Sequence, residues 1–160
     1  MGRIVNENQI GEVLEEQRFK NKRIVITGGC FDLIHLGHVK LLEKAKEKGD
    51  VLIVLLESDN SVKKLKGKNR PINNQDERAE VLSAISYIDI IVKLKKVASN
   101  AEYDKLISQI KPHVIAATEG DSGINHKNRQ AKLVGAKVVF VIKKINNRSS
   151  SRLTKLRKIL

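Results

Sequence analysis

Five short apolar runs punctuate the chain, at residues 23–28, 51–56, 88–93, 113–117 and 137–142. Each is rich in Ile and Val and lacks polar alternation, so each predicts a strand buried on both faces. Between them, apolar positions recur at helical spacing near 36–48, 74–85, 100–110, 125–134 and 149–159. Asn74 stands three residues before Glu77, the spacing of an N-cap with an acidic first turn. Gly49 and Gly135 follow helical stretches, where left-handed C-caps are expected. The alternation of strand and helix predicts an α/β fold: an open parallel five-stranded sheet with helices on both faces. With 160 residues, 41% hydrophobic content and no repeat or low-complexity linker, residues 1–160 read as one domain with a single core.

In such sheets ligands bind beyond the carboxyl ends of the strands, where strand order reverses. The loops after the first and fourth expected strands are therefore the places to look. The first holds Thr27-Gly28-Gly29-Cys30-Phe31-Asp32-Leu33-Ile34-His35-Leu36-Gly37-His38. Two glycines let the backbone turn tightly and approach a ligand. A helix beginning near Leu36 would bring His35 and His38 together at its first turn, where the dipole and free N–H groups favour phosphate. Gly37 between them lets a nucleotide lie close over the backbone. Phosphoryl transfer needs donors for the equatorial oxygens and the leaving group, and imidazoles can supply them. Taken singly, the parts are weak. A Gly-Gly pair is commonly a plain turn, two histidines can be unrelated surface residues, and a metal site lacks completing ligands nearby.

Charge adds a bias without a target. Lys and Arg total 31 against 18 Asp and Glu, a net charge of +13, and that field attracts phosphates and acidic ligands. Lys63, Lys64, Lys66, Lys68 and Arg70 crowd a basic loop or short helix after the second expected strand. A solvated loop would look the same, but its position beside the glycine turn makes Lys66 and Arg70 candidate clamps for a substrate phosphate. Ser149-Ser150-Ser151 opens the last helical stretch and can be simple capping. No acidic residue occurs from Lys143 to Leu160, which makes those hydroxyls a candidate pyrophosphate cradle with Arg148 or Lys144. The single cysteine, Cys30, excludes an internal disulfide framework and suits a reducing cytoplasm. The N-terminus lacks an apolar signal core, and the longest fully apolar run, Val51 to Leu56, is far short of the ~20 residues that span a bilayer. A cytoplasmic protein without a membrane partner is the expectation.

The string from Thr27 to His38 resembles the signature of the cytidylyltransferase-like nucleotidyltransferases, with their His-x-Gly-His motif. The resemblance implies a Rossmann-like α/β sandwich. It implies that His35 and His38 stabilise the transition state and that the backbone from Gly28 to Phe31 lines the nucleotide phosphates; Asp32 and Gly37 are placed with them as nucleotide contacts. Ser58-Asp59-x-Ser61-Val62-Lys63-x-Leu65-Lys66-Gly67-x-x-Arg70-Pro71-x-Asn73, then Glu77-Arg78 and the stretch to Val92, is similar to the adenylyltransferase module of heptose-phosphate enzymes in lipopolysaccharide precursor synthesis. The helix expected before Lys22 matches that module's opening. This similarity covers most of residues 1–95. It implies AMP transfer from ATP, with Mg²⁺ carried by the nucleotide phosphates, onto a sugar phosphate such as D-glycero-D-manno-heptose 1-phosphate. In the family a Ser/Thr triplet holds the β- and γ-phosphates, the position matched by Ser149, Ser150 and Ser151. A homodimer is expected by analogy.

The chain departs from the module after the fourth expected strand. The usual Lys-Gly-Gly-Asp-Tyr is replaced by Thr118-Glu119-Gly120-Asp121-Ser122, and Lys127 or Arg129 is the candidate for the missing charge. The alternative within the class is a cytidylyltransferase using CTP and glycerol 3-phosphate or a related alcohol phosphate; adenylylation of an FAD or coenzyme A precursor is another. A basic nucleic-acid-binding module is the alternative from a different class, against which stand the few aromatics and the lack of a binding motif. A nucleotide sensor with a dead site is a third.

Overall fold

The computed structural model describes residues 1–16, 19–95 and 99–143. The expected helix 149–159, with Arg148 and Ser149 to Ser151, lies outside the described residues. Within them the chain runs β1 (Arg3–Asn6), α1 (Ile10–Glu15), β2 (Ile24–Gly29), α2 (Leu36–Lys46), β3 (Val51–Leu56), α3 (Asp59–Lys66), α4 (Gln75–Ser83), β4 (Ile90–Lys93), α5 (Asn100–Ile110), β5 (Val114–Thr118), α6 (Ile124–Val134) and β6 (Lys137–Ile142). All strand pairs are parallel, in the order β1-β4-β3-β2-β5-β6.

The sheet thus has six strands where the apolar runs predict five. The extra strand, β1, lies at an edge against β4, and only Val5 of its four residues is buried. One buried position leaves no periodicity to read. The interior strands behave as their composition dictates. All six residues of β3 are buried, and they alternate between two apolar layers. Val51, Ile53 and Leu55 face a cluster with α1, α5 and α6, while Leu52, Val54 and Leu56 face one with α2 and α4. Burial of each such side chain stabilises by about 1.5–3 kcal/mol, so the centre of the sheet is its rigid part.

Local signals set the helix ends. Asn74 forms a capping box with Glu77: its side chain accepts from the Glu77 N–H at 3.0 Å, and its own N–H donates to Glu77 Oε2 at 2.8 Å. The basic segment after β3 is helical, with Ser58 capping it by accepting from the Ser61 N–H. Gly135 takes the left-handed C-cap conformation, φ 70°. Gly49 does not: α2 has already ended at Lys46. Gly49 is a close approach instead, since a Cβ there would stand 2.5 Å from the Arg23 carbonyl oxygen. Among the described residues, no helix is long and apolar enough to cross a membrane.

The chain moves from β2 to β3 and β4 on one side, then crosses to β5 and β6 on the other. Strand order therefore reverses between β2 and β5. Those two strands pair only over Val25–Val114 and Ile26–Ile115. Beyond Ile26 the Thr27 hydroxyl donates to the Ala116 carbonyl at 3.2 Å, and the strands part to leave a crevice at their carboxyl ends.

Candidate active site

β2 ends in Gly28-Gly29 at the lip of this crevice. A Cβ on Gly29 would lie 3.0 Å from the Phe31 ring, so any larger residue here would crowd that ring where it folds back under the turn. Phe31 sits in the left-handed region, φ 44°, which a non-glycine residue adopts only when its surroundings impose it. Here burial imposes it: Phe31 is 3% exposed, and its ring packs on His38 with centroids 5.0 Å apart. His38 in turn stacks on His35 at 3.8 Å and 23°.

His35 is the N-cap of α2, and its Nδ1 accepts from the Gly37 N–H at 3.1 Å. An accepting Nδ1 leaves the neutral ring's proton on Nε2. The His35 carbonyl also accepts from the N–H groups of His38 and Val39. The first-turn amides expected to greet a phosphate are therefore largely engaged, and the imidazoles take over as donors. Burial, then the His35 ring and the Lys66 ammonium, push His38 down to about 3; burial and Lys66 also lower His35. Both rings are thus neutral near pH 7. The Nδ1 of His38 is buried and has no hydrogen-bond partner among the described residues.

A second layer braces this turn from below. Asp32, 2% exposed, pairs with Arg70 Nε, and its other oxygen accepts from the N–H groups of Ile72 at 2.8 Å and Asn73 at 3.2 Å. Arg78, 1% exposed, donates to the carbonyls of Cys30, Glu57 (2.9 Å) and Asn73 (3.1 Å) and to Asp59 Oδ1 (2.7 Å). One guanidinium therefore ties the ends of β2 and β3 to the start of α3 and the segment before α4.

On the α5 and α6 side of Gly28-Gly29 lies a cleft of about 510 Å³. Its apolar lining comes from Ile26, Leu55 and Ile115, and Cys30 lines it too. Burial pushes the Cys30 thiol up, so it is a neutral wall and not a nucleophile. Tyr103 of α5 and Glu57 also line it, the Tyr103 hydroxyl donating to Glu57 Oε1. Burial and the Glu57 charge hold the Tyr103 proton firmly in place. The Thr118–Ser122 loop brings Asp121, which accepts from Gly123 N–H at 2.7 Å and pairs with Lys127 at 2.8 Å.

Of the residues singled out in the sequence, Gly28, Gly29 and Cys30 line the cleft, while Phe31, His35, Gly37 and His38 form the stacked turn beside it. Lys66 ends α3, exposed, with its charge felt by His35, His38 and Cys30. Asp32 and Arg70 are buried against each other, turned into the protein. Lys127 reaches the cleft, whereas Arg129 pairs with Asp104. Arg78, Glu57 and Tyr103 carry no local spacing that points to a site role. Only the Glu77-Arg78 pair carried any signal, as part of a family pattern.

A cytidylyltransferase-like family model matches residues 26–158. The chain is similar to the bifunctional protein HldE of several bacteria. It is 53% identical to that of Aliarcobacter butzleri over 94 residues, 59% of this chain and 19% of that protein. It is 38% identical to that of Wolinella succinogenes over 156 residues, 96% of this chain and 31% of that protein. The chain thus spans a third or less of these relatives. Among solved structures, the fold resembles a lipopolysaccharide core biosynthesis protein from Thermoplasma volcanium (TM-score 0.60, 22% identity, 80% of this chain and 100% of that one). It also resembles the pantoate-β-alanine ligase of Francisella tularensis (TM-score 0.68, 16% identity, 97% and 73%).

Proposed function

Because the chain belongs to the cytidylyltransferase-like family, we propose that it transfers a nucleoside monophosphate, AMP from ATP, to a sugar phosphate and releases pyrophosphate. The observation that carries this reading is the pair of neutral, stacked imidazoles at the start of α2, beside a glycine turn at the sheet's switch point. The triphosphate lies over Gly28-Gly29. An oxygen of the acceptor phosphate attacks the α-phosphorus in line, a new P–O bond forms, and the bond to the β-phosphate oxygen breaks. His35 and His38 donate N–H groups to the oxygens on which charge accumulates. A neutral imidazole does so without giving up its proton, so no acid–base residue is needed at this step.

Lys66 is the cation that steers the acceptor phosphate. Asp32 and Arg70 hold the 70–73 segment, and with it the floor under the turn. Ser149 to Ser151 and Arg148 keep the role their resemblance implies, binding the departing pyrophosphate. Among the described residues no group of three or more His, Cys, Asp or Glu is placed to hold a metal ion, and magnesium would enter on the nucleotide's own phosphates. ATP over CTP is supported by the similarity of residues 1–95 to the heptose adenylyltransferase module.

The test is a pyrophosphate-release screen of each nucleoside triphosphate against sugar and polyol phosphates. Release with ATP and a sugar 1-phosphate is expected. Release only with CTP would move the chain to the cytidylyltransferase alternative. No release with any pair, alongside tight ATP binding, would leave a nucleotide sensor.

A further inference from the structure

We infer that Phe31 is a positioning residue: its ring holds the His38 imidazole in the orientation that the transfer step uses and keeps water off it. This rests on the transfer reaction proposed above, and it deepens that reading by naming what sets the donor on which the reaction depends.

The backbone of Phe31 is clamped before and after. The Cys30 carbonyl accepts from Arg78. The Asp32 carboxylate pairs with Arg70 and accepts from the N–H groups of Ile72 and Asn73. Arg78 and Asp32 are 1% and 2% exposed, so both anchors lie in the interior. Between them Phe31 takes φ 44°. Glycine or asparagine would adopt that backbone more readily, so what a phenylalanine adds at this position is its ring. From this fixed base the ring folds back into the space that Gly29 leaves open. It meets His38 at a centroid distance of 5.0 Å and a tilt of 55°.

His38 needs such a support. A hydrogen bond to the second nitrogen commonly orients an imidazole, and among the described residues the His38 Nδ1 has no such partner. Packing against Phe31 and His35 therefore orients the ring. His35 is itself held by the Gly37 N–H at its Nδ1. A tilted contact between rings has a preferred angle, which an aliphatic side chain of similar bulk does not supply. A neutral imidazole carries one N–H, so the ring's angle decides whether that proton faces the phosphate oxygens. The same packing bears on charge. Burial, then the His35 ring and the Lys66 ammonium, lower the His38 pKa to about 3, with the Leu33 carbonyl opposing as the smallest contribution. Phe31 is part of that burial, and a smaller side chain in its place would let water reach the imidazole.

The test is Phe31→Leu, which keeps apolar bulk and removes the planar face, with Phe31→Met as a second variant whose flexible chain fills irregular space. The histidine ring signals are followed by NMR as pH is lowered, His38 being identified by its loss in His38→Asn. Turnover is read by pyrophosphate release with ATP and a sugar 1-phosphate, and the melting temperature shows which variants are folded. In the wild-type chain the His38 signals should not titrate between about pH 8 and 5. A midpoint near the ordinary 6.5 overturns the proposal without any variant. In a folded variant the midpoint should rise by about one unit or more. There kcat should fall about tenfold or more, the scale of a misplaced catalytic group, while the ATP Kd holds. Full kcat in both folded variants overturns the assignment, wherever the midpoint lies. A loss of turnover with the midpoint unmoved also overturns it, because the ring then acts by a route other than His38. So does a weakened ATP Kd with kcat unchanged, which makes Phe31 a ligand contact. If the wild-type chain releases no pyrophosphate with any nucleoside triphosphate and acceptor, the transfer reading falls, and the midpoints alone decide whether Phe31 sets that imidazole.

Discussion

Two polar groups flank the turn after β2, both inside the protein, and they are satisfied in opposite ways. Arg78 gives its N–H groups to three carbonyls and one carboxylate. His38 stacks between Phe31 and His35, and its Nδ1 has no partner among the described residues. A buried polar atom costs free energy when it is left unpaired. Arg78 avoids that cost by bracing four segments. His38 leaves its Nδ1 unpaired, which suits the ligand-contacting role proposed for that ring. Under the proposed reaction the contrast separates frame from working surface: the fully bonded guanidinium holds the turn still, and the imidazole is the group proposed to meet the ligand.

Substitutions should break this contrast along the same line. Arg78→Met leaves three carbonyls and Asp59 without their donor and should destabilise the fold by about 3–5 kcal/mol, the scale of removing one partner of a buried ionic network; urea unfolding reads it. His38→Ala should do the reverse. Turnover falls at least ~100-fold, the effect of losing one oxyanion donor, while the urea midpoint moves far less than for Arg78→Met. A near-normal rate in that variant removes the catalytic role of the imidazole.

Gly29→Ala comes next. A methyl group 3.0 Å from the Phe31 ring forces the ring, and the His38 stack on it, to shift. The expected cost is about 1–3 kcal/mol, as for an overpacked core, with turnover reduced beyond what the stability loss explains. A further effect is on pH dependence. His38 has its pKa lowered on folding to about 3 from the ordinary 6.5, so the unfolded chain binds the extra proton first. The stability this gives is complete above pH 6.5 and is lost as pH falls toward 3, by at most about 1.4 kcal/mol per pH unit. The wild-type melting temperature should therefore fall more steeply than that of His38→Asn between pH 6.5 and 4. Parallel profiles would mean the ring is solvated in solution.

The site was legible where chemistry and spacing are local. Gly28-Gly29 after a buried strand and His35-x-x-His38 at a helix start announced a turn and an imidazole pair, and the structure stacks those rings. Arg78 was not legible. In Gln75-Asp76-Glu77-Arg78-Ala79-Glu80 it looks like one more charge on a solvated face, yet it is 1% exposed, because the carbonyls it meets come from residues 30, 57 and 73. Arg70 was only partly legible for a related reason. Its place in a basic run points to a phosphate clamp, and in the fold its Nε pairs with Asp32, 38 residues earlier.

By itself the sequence determined the interior strands, because residues buried on both faces must be apolar whatever their partners. It determined the caps at Asn74 and Gly135 too, because a cap bonds within four residues, but not the place of Gly49, which the distant Arg23 carbonyl sets. Only the tertiary structure decided the edge strand β1, the commitment of Asp32 to Arg70, and the pairing of Glu57 with Tyr103 in the cleft. Those depend on which distant segments the parallel crossovers bring together, and a side chain's role changes with the partner it finds there.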